Sequence, residues 1–229
     1  MKTRFLGIGL IFAVFALGFI GFDTSGEGLR EKEFAAKFAD TKLTAAETTG
    51  SYDIDAKHSY IGFRVTHMGL AEVPGAFRDF SGSINYDGKD VSKSSVNFTA
   101  KVTSVDTGVA PRDNHLRTAD FFEVEKYPEM SFKSTKVEKK GDKWEVTGDF
   151  TLKGVTKQMT IPFTVNGMMK DAKGNVKMGI SAQTMINRQD YGVKYSNKLP
   201  DGTLALSDMV KIDLQLEAGM KKETKSGGE

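Results

Sequence analysis

Val96-Asn97-Phe98-Thr99-Ala100-Lys101-Val102-Thr103 puts an apolar side chain at every second position and a polar one between. Successive side chains of a β-strand point to opposite faces, so this period of two predicts a strand with one dry and one wet face. The same alternation recurs on both sides of it. Ile61, Phe63 and Val65 alternate with Tyr60, Gly62, Arg64 and Thr66. Trp144, Val146, Phe150 and Leu152 share a face with Gly148. Met159, Ile161, Phe163 and Val165 repeat the pattern, as do Val210, Ile212, Leu214 and Leu216. Turn sequences separate the runs at Tyr86-Asp87-Gly88-Lys89, Lys140-Gly141-Asp142, Lys153-Gly154-Val155 and Asp171-Ala172-Lys173-Gly174. About eight or nine strands follow at the spacing of a sandwich or barrel. An up-and-down antiparallel barrel would leave no open sheet edge, but the pattern alone does not separate the two. Only Asp113 to Phe122 reads as helical, for about two turns.

The composition excludes several classes. The chain of 229 residues carries 32 Lys and Arg against 30 Asp and Glu. Without Lys2 and Arg4 the two signs balance, so nothing marks a nucleic-acid-binding face or a broad basic surface for an anionic membrane. Anion recognition must be local. There is no cysteine, hence no disulfide and no thiolate chemistry. Lys2 and Arg4 precede an uncharged run from Phe5 to Phe22, which predicts a signal peptide or a retained N-terminal membrane anchor over residues 1–22. Small residues at Ala16 and Gly18 suit cleavage, but the run stays apolar beyond them. No cysteine follows to take a lipoprotein anchor. Either way the domain is expected outside the cytoplasm, in the periplasm or beyond. Residues 23–50 read as a flexible tether, although Phe34 and Phe38 lie one helical turn apart. The folded domain spans 51–219, and the charged, Gly-rich residues 220–229 read as a disordered tail.

Specific blocks punctuate the strands. Arg112 to Phe122 reads R-D-N-H-L-R-T-A-D-F-F, and Asp55 to His67 reads D-A-K-H-S-Y-I-G-F-R-V-T-H. With them stand G-A-F-R-D-F-S-G-S-I from Gly75 to Ile84 and T-L-K-G-V-T-K from Thr151 to Lys157. I-N-R-Q-D-Y-G runs from Ile186 to Gly192, and L-S-D-M-V-K-I from Leu206 to Ile212. Together they resemble the YceI-like family of polyisoprenoid-binding proteins over about Tyr52 to Glu217. One departure is Tyr52, where the family often has Trp. The resemblance implies an all-β, antiparallel, up-and-down lipocalin-like barrel of about eight strands with one short helix. It also implies an internal cavity, an isoprenoid lipid as ligand rather than a cofactor, and allows a homodimer. The lining it suggests is Phe63, Val65, Phe77, Phe80, Ile84, Phe98, Val102, Phe132, Phe150, Phe163 and Leu214. Without the resemblance, these positions, among 16 phenylalanines, would read as a dry packed core.

The charged block has two readings. Arg112, His115, Arg117 or Arg188 would face a phosphate or quinone head group at the rim, because guanidinium groups pair phosphate oxygens bidentately. Alternatively, Arg112 with Asp113, or Arg188 with Asp190, would tie loops together, which is the expected role of adjacent opposite charges in a β-shell. A metal site would need Asp113, His115 and His58 to converge, and none is expected. No G-x-S-x-G elbow, H-E-x-x-H or P-loop occurs. Two competitors to an exported binding barrel stay open. One is an enzyme on an isoprenoid substrate with His115 as base, and the other a packed stress-response barrel without ligand.

Overall fold

The computed structural model describes residues 43–141 and 143–222. The expectations for residues 1–42 and for the end of the tail lie outside them. Eleven strands form one antiparallel sheet. They are β1 (Gly50–Ile54), β2 (Tyr60–His67), β3 (Ala71–Phe77), β4 (Phe80–Tyr86), β5 (Ser95–Lys101) and β6 (Val105–Asp106). Then come β7 (Glu129–Lys140), β8 (Lys143–Leu152), β9 (Val155–Lys170), β10 (Val176–Asn187) and β11 (Leu206–Met220). The ring β1-β4-β5-β7-β8-β9-β10-β11 closes on itself through Tyr52 opposite Met220 and Ile54 opposite Ala218. This is the expected eight-stranded barrel.

The three extra strands are continuations. β2 pairs with β3 where β1 pairs with β4, and β6 extends β5 alongside β3. The chain therefore goes up and down through eight staves, of which the first three are broken. The breaks have local causes. Asp55 accepts the Lys57 N–H at 3.0 Å and turns the first stave. The Ser104 hydroxyl accepts both Arg78 N–H (3.1 Å) and Asp79 N–H (3.0 Å), clasping the second break to the third. Elsewhere the alternation holds, and Lys153-Gly154, both at positive φ (48° and 73°), joins β8 to β9 in two residues.

Among the described residues two α-helices are present where one was expected. α1 (Ala45–Thr48) is a single turn held by a capping box between Thr44 and Glu47. It belongs to the segment read as a tether, so that segment's last residues are ordered against the barrel. Tyr52, 0% exposed, donates its hydroxyl to Thr48 O at 2.6 Å, and Gly88 N–H reaches the Thr49 hydroxyl at 2.9 Å. α2 (Ala110–Arg117) starts three residues before the expected position and stops at Arg117. Pro111 in its first turn is the start signal that the reading passed over, since proline fits there at no hydrogen-bond cost. The chain beyond Thr118 then folds through turns rather than helix.

α2, the β2–β3 hairpin, the β8–β9 turn and the segment 188–205 share one end of the barrel. α1, residues 87–94 and the β7–β8 and β9–β10 turns share the other.

Candidate functional site

The inward faces do not fill the barrel. They enclose a cavity of about 600 Å3, lined almost wholly by apolar side chains, a size and character ordinary for ligand sites. Phe63, Val65, Phe77, Ile84, Phe98, Phe132, Phe150, Phe163 and Leu214 all stand on its wall. Phe63 lies over Gly75 on the neighbouring strand, where a Cβ would come within 2.3 Å of its ring. The glycine thus lets the ring lie against the wall. Phe80 and Val102 do not reach the cavity. Phe80 is buried in the core and packs against Phe98, with ring centres 6.1 Å apart. Val102 begins a 3-10 turn instead of continuing β5 and is buried in the core at 1% exposure rather than on the cavity wall. Ile180, Ala182, Thr184 and Ile186 on β10 were missed. Their spacing carried the signal, since they alternate with Ser181, Gln183 and Met185.

The cavity opens toward the end that carries α2. Among the described residues His67, Met68 and Asn197 are its only exposed lining residues, and all three lie at that end. There the charged block resolves into separate jobs. Arg117 does not line the cavity. It donates to Thr103 O (2.8 Å), Val105 O (2.9 Å) and Asn114 Oδ1 (2.9 Å), tying α2 to the third stave. Arg188 borders the cavity at 5% exposure, with every guanidinium N–H engaged. It donates to Ser207 O, Val193 O, Tyr195 O, Leu206 O and Asp208 Oδ1 at 2.7–3.4 Å. Burial lowers its pKa and Asp208 opposes that shift. The expected partner Asp190 faces Lys157 instead, at 3.5 Å.

Arg112 and Asp113 meet through Thr107 rather than directly. Buried Asp113 accepts the Thr107 N–H (2.9 Å) and hydroxyl (2.5 Å). Arg112 donates Nε to the Thr107 hydroxyl (2.7 Å) and Nη2 to Thr107 O (2.8 Å). Its Nη1 has no protein partner, and no carboxylate pairs with it among the described residues. Among the described residues, Arg112 and Arg188 are the only charged side chains other than histidine on the cavity wall, and no carboxylate lines it. Arg188 pairs directly with Asp208, whereas Arg112 reaches buried Asp113 only through the Thr107 hydroxyl and keeps Nη1 free.

His115 also lines the cavity. Its Nε2 lies 2.7 Å from Asp120 Oδ2, and its ring packs edge-on to Phe121 and Tyr195 at 5.1 and 5.2 Å. His58 is remote from it. His58 meets Asp55 at 3.0 Å and, with Glu217, forms a group whose ligand atoms lie within 4.8 Å of one another. Lys177 already bridges those carboxylates at 3.6 and 3.0 Å.

Residues 52–218 match the YceI-like domain. The chain belongs to the YceI-like family. It is 39% identical to the YceI protein of Escherichia coli over 160 residues, covering 69% of this chain and 84% of that one. The structure of the Campylobacter jejuni YceI protein superposes with a TM-score of 0.61 at 32% identity, over 69% of this chain and 90% of that one. A polyisoprenoid binding domain from Saccharophagus degradans superposes at 0.58 with 18% identity, over 74% and 98%; that likeness shows the fold. The YceI-like barrel here thus pairs a lipocalin-like cavity with a mouth whose loops are braced by Arg117 and Arg188 and which Arg112 borders.

Proposed function

We propose that this protein is an exported, non-enzymatic carrier or store for an isoprenoid lipid, with the tail in the barrel and the polar head at Arg112. The carrying observation is a cavity of about 600 Å3 with apolar walls and, at its mouth, a guanidinium with a free Nη1 and no direct carboxylate partner among the described residues. An apolar tail suits the walls. An acidic head suits Arg112, whose free Nη1 can donate to a phosphate oxygen. A polyprenyl phosphate therefore fits better than an isoprenoid quinone, whose carbonyl would accept only a neutral hydrogen bond where a phosphate oxygen would accept a charge-assisted one. The binding domain from Saccharophagus degradans supports the ligand class through its name, on the same fold. Lys2, Arg4 and the uncharged residues 5–22 support export or an inner-membrane anchor.

The energetics suit exchange rather than capture. Burying about forty tail carbons from water would gain roughly 30 kcal/mol at ~0.8 kcal/mol per CH2, beyond the ~20 kcal/mol at which non-covalent affinity saturates. The real reference is the bilayer, which already solvates the tail, so transfer into the barrel is close to neutral. Mass spectrometry of the organic extract from protein purified from its own host tests the reading. A near-stoichiometric isoprenoid supports it, and the head group decides between phosphate and quinone. A clean extract, together with a melting temperature that added isoprenoid does not raise, overturns it.

The His115–Asp120 pair on the cavity wall favours one second reading, in which His115 acts as a general base. Conversion of a supplied isoprenoid phosphate by the wild type, abolished in His115→Ala, would establish it in place of the carrier reading.

A further inference from the structure

We infer that the mouth end of the barrel is a docking surface for an anionic lipid bilayer, with the β2–β3 hairpin as the element that inserts. The chemistry of the surface is unevenly distributed along the barrel. Among the described residues all five exposed large hydrophobics, Met68, Leu70, Val109, Met185 and Met209, lie toward the mouth end. Met209 stands opposite Asn187, the last residue of β10, and Met185 opposite Lys211 one step below. The opposite end presents polar turns such as Asp87-Gly88-Lys89-Asp90 and Asp171-Ala172-Lys173-Gly174. A scatter of single apolar side chains is ordinary on a soluble surface, whereas a one-ended set beside a cavity mouth is a sign of contact with an apolar phase.

The hairpin tip is the sharpest part. Met68 and Gly69 form the two-residue turn at φ 52° and 69°, and Leu70 beside it is 86% exposed. Glycine is at home in that backbone region, but methionine is not. The turn is nevertheless fixed, because Met68 N–H donates to Ala205 O at 2.9 Å and Leu70 N–H to His67 O at 2.9 Å. Met68 also lines the cavity. The apolar tip is thus continuous with the apolar tunnel, and a tail leaving the barrel would pass along it.

The charge beside the tip points to the kind of bilayer. The segment 193–205, which holds the tip through Ala205, carries exposed Lys194 and Lys198, neither with a carboxylate partner among the described residues. Lys198 pairs across a bridge with Leu204, next to Ala205. Of the acids on the hairpin and this segment, Glu72 is neutralised by Lys211, and Asp201 accepts Thr203 N–H at 2.9 Å within its own turn. A pair of free lysines flanking exposed leucine and methionine is the arrangement that lets ammonium groups reach lipid phosphates while the apolar tip enters. The surplus is local, in keeping with the balanced charge of the whole chain.

The proposal rests on the carrier reading for its cargo but not for its test. The chain has no cysteine, so Ala71→Cys beside the tip and Ala172→Cys at the far end can each be labelled singly in the full-length protein with an environment-sensitive fluorophore. Vesicles of phosphatidylcholine with phosphatidylglycerol should blue-shift the Ala71 probe and leave the Ala172 probe unchanged. In the Ala71→Cys background, Leu70→Ser should weaken the apparent vesicle affinity roughly tenfold, from the lost leucine burial. Lys194→Ser and Lys198→Ser should each weaken it about fivefold at low salt. Equal shifts at both probes, no shift at Ala71, indifference to Leu70→Ser, or a shift with rising protein concentration in the absence of vesicles would overturn it. The last result would identify a second copy of the chain as the occupant. Extraction of bound lipid from the same preparations keeps the carrier reading separately testable.

Discussion

Replacing Arg188 by methionine separates the two roles that a guanidinium at the cavity can have. In the wild type its five N–H groups hold four backbone carbonyls and Asp208 at 2.7–3.4 Å, with the side chain 5% exposed. Methionine fills much of the volume and supplies no donor. Each acceptor stranded away from water costs ~1–3 kcal/mol. Only Val193 among these partners is fully buried, so the others recover part of the loss from water. The net cost should be about 3–5 kcal/mol, the range seen when a buried charged pair loses one member. At roughly 2–4 °C per kcal/mol for a chain of this size, the melting temperature should fall by about 6–20 °C. Arg188→Lys should recover little of it, because an ammonium cannot reproduce a five-donor planar fork. Thermal denaturation followed by circular dichroism, paired with the lipid content of the same preparation, reads both effects. A fall of less than about 2 °C accompanied by complete loss of bound lipid would refute the structural assignment and make Arg188 a head-group ligand.

Arg112→Gln should behave in the opposite way. Its two bonds to Thr107 are worth about 1–2 kcal/mol of stability, while retention of an acidic isoprenoid should drop ~10-fold relative to a neutral one, measured by competitive loading and extraction. Ala182→Phe aims a ring into empty space from β10 and should reduce lipid content while leaving the melting temperature of the delipidated protein within about 2 °C; unchanged loading would mean that the tail does not pass β10. Tyr52 has its pKa raised from 10.0 to about 12 by burial, with Tyr86 contributing. Its neutral form is therefore favoured in the fold. The stabilisation of about 3 kcal/mol is intact below pH 10 and lost as pH rises through about 12. Urea midpoints at pH 8 and pH 11.5 should diverge more for the wild type than for Tyr52→Phe, and parallel slopes would count against the assignment.

The strands were legible because a wall with one dry face writes a period of two into every stave, as Val96 to Lys101 and Met159 to Val165 show, while closure into a barrel came only from the family resemblance. The strand count blurred where staves break. The breaks are made by Asp55 and Ser104, single side chains capturing backbone N–H groups, and such captures leave no periodic trace. Most cavity positions followed from the same alternation. Val102 failed because the chain leaves the strand one residue earlier than its hydrophobic pattern does. The arginines were recognisable as a group but not by role, since a guanidinium facing a ligand and one facing carbonyls look alike in one dimension. Only the fold shows Arg188 with all donors engaged and Arg112 with some to spare.

The barrel opens at the α2 end, while toward the other end the described residues that line the cavity are buried, as Met178 is, or half-buried, as Val91, Ser94 and Ser95 are. On the carrier reading, a chain would enter at the α2 end tail first and leave head first. The depth of the cavity would then act as a ruler. A tail too long for it would hold its head away from Arg112, and one too short would leave unfilled space below. Length and head group would thus be judged together, by whether both ends of the cargo arrive at the same time.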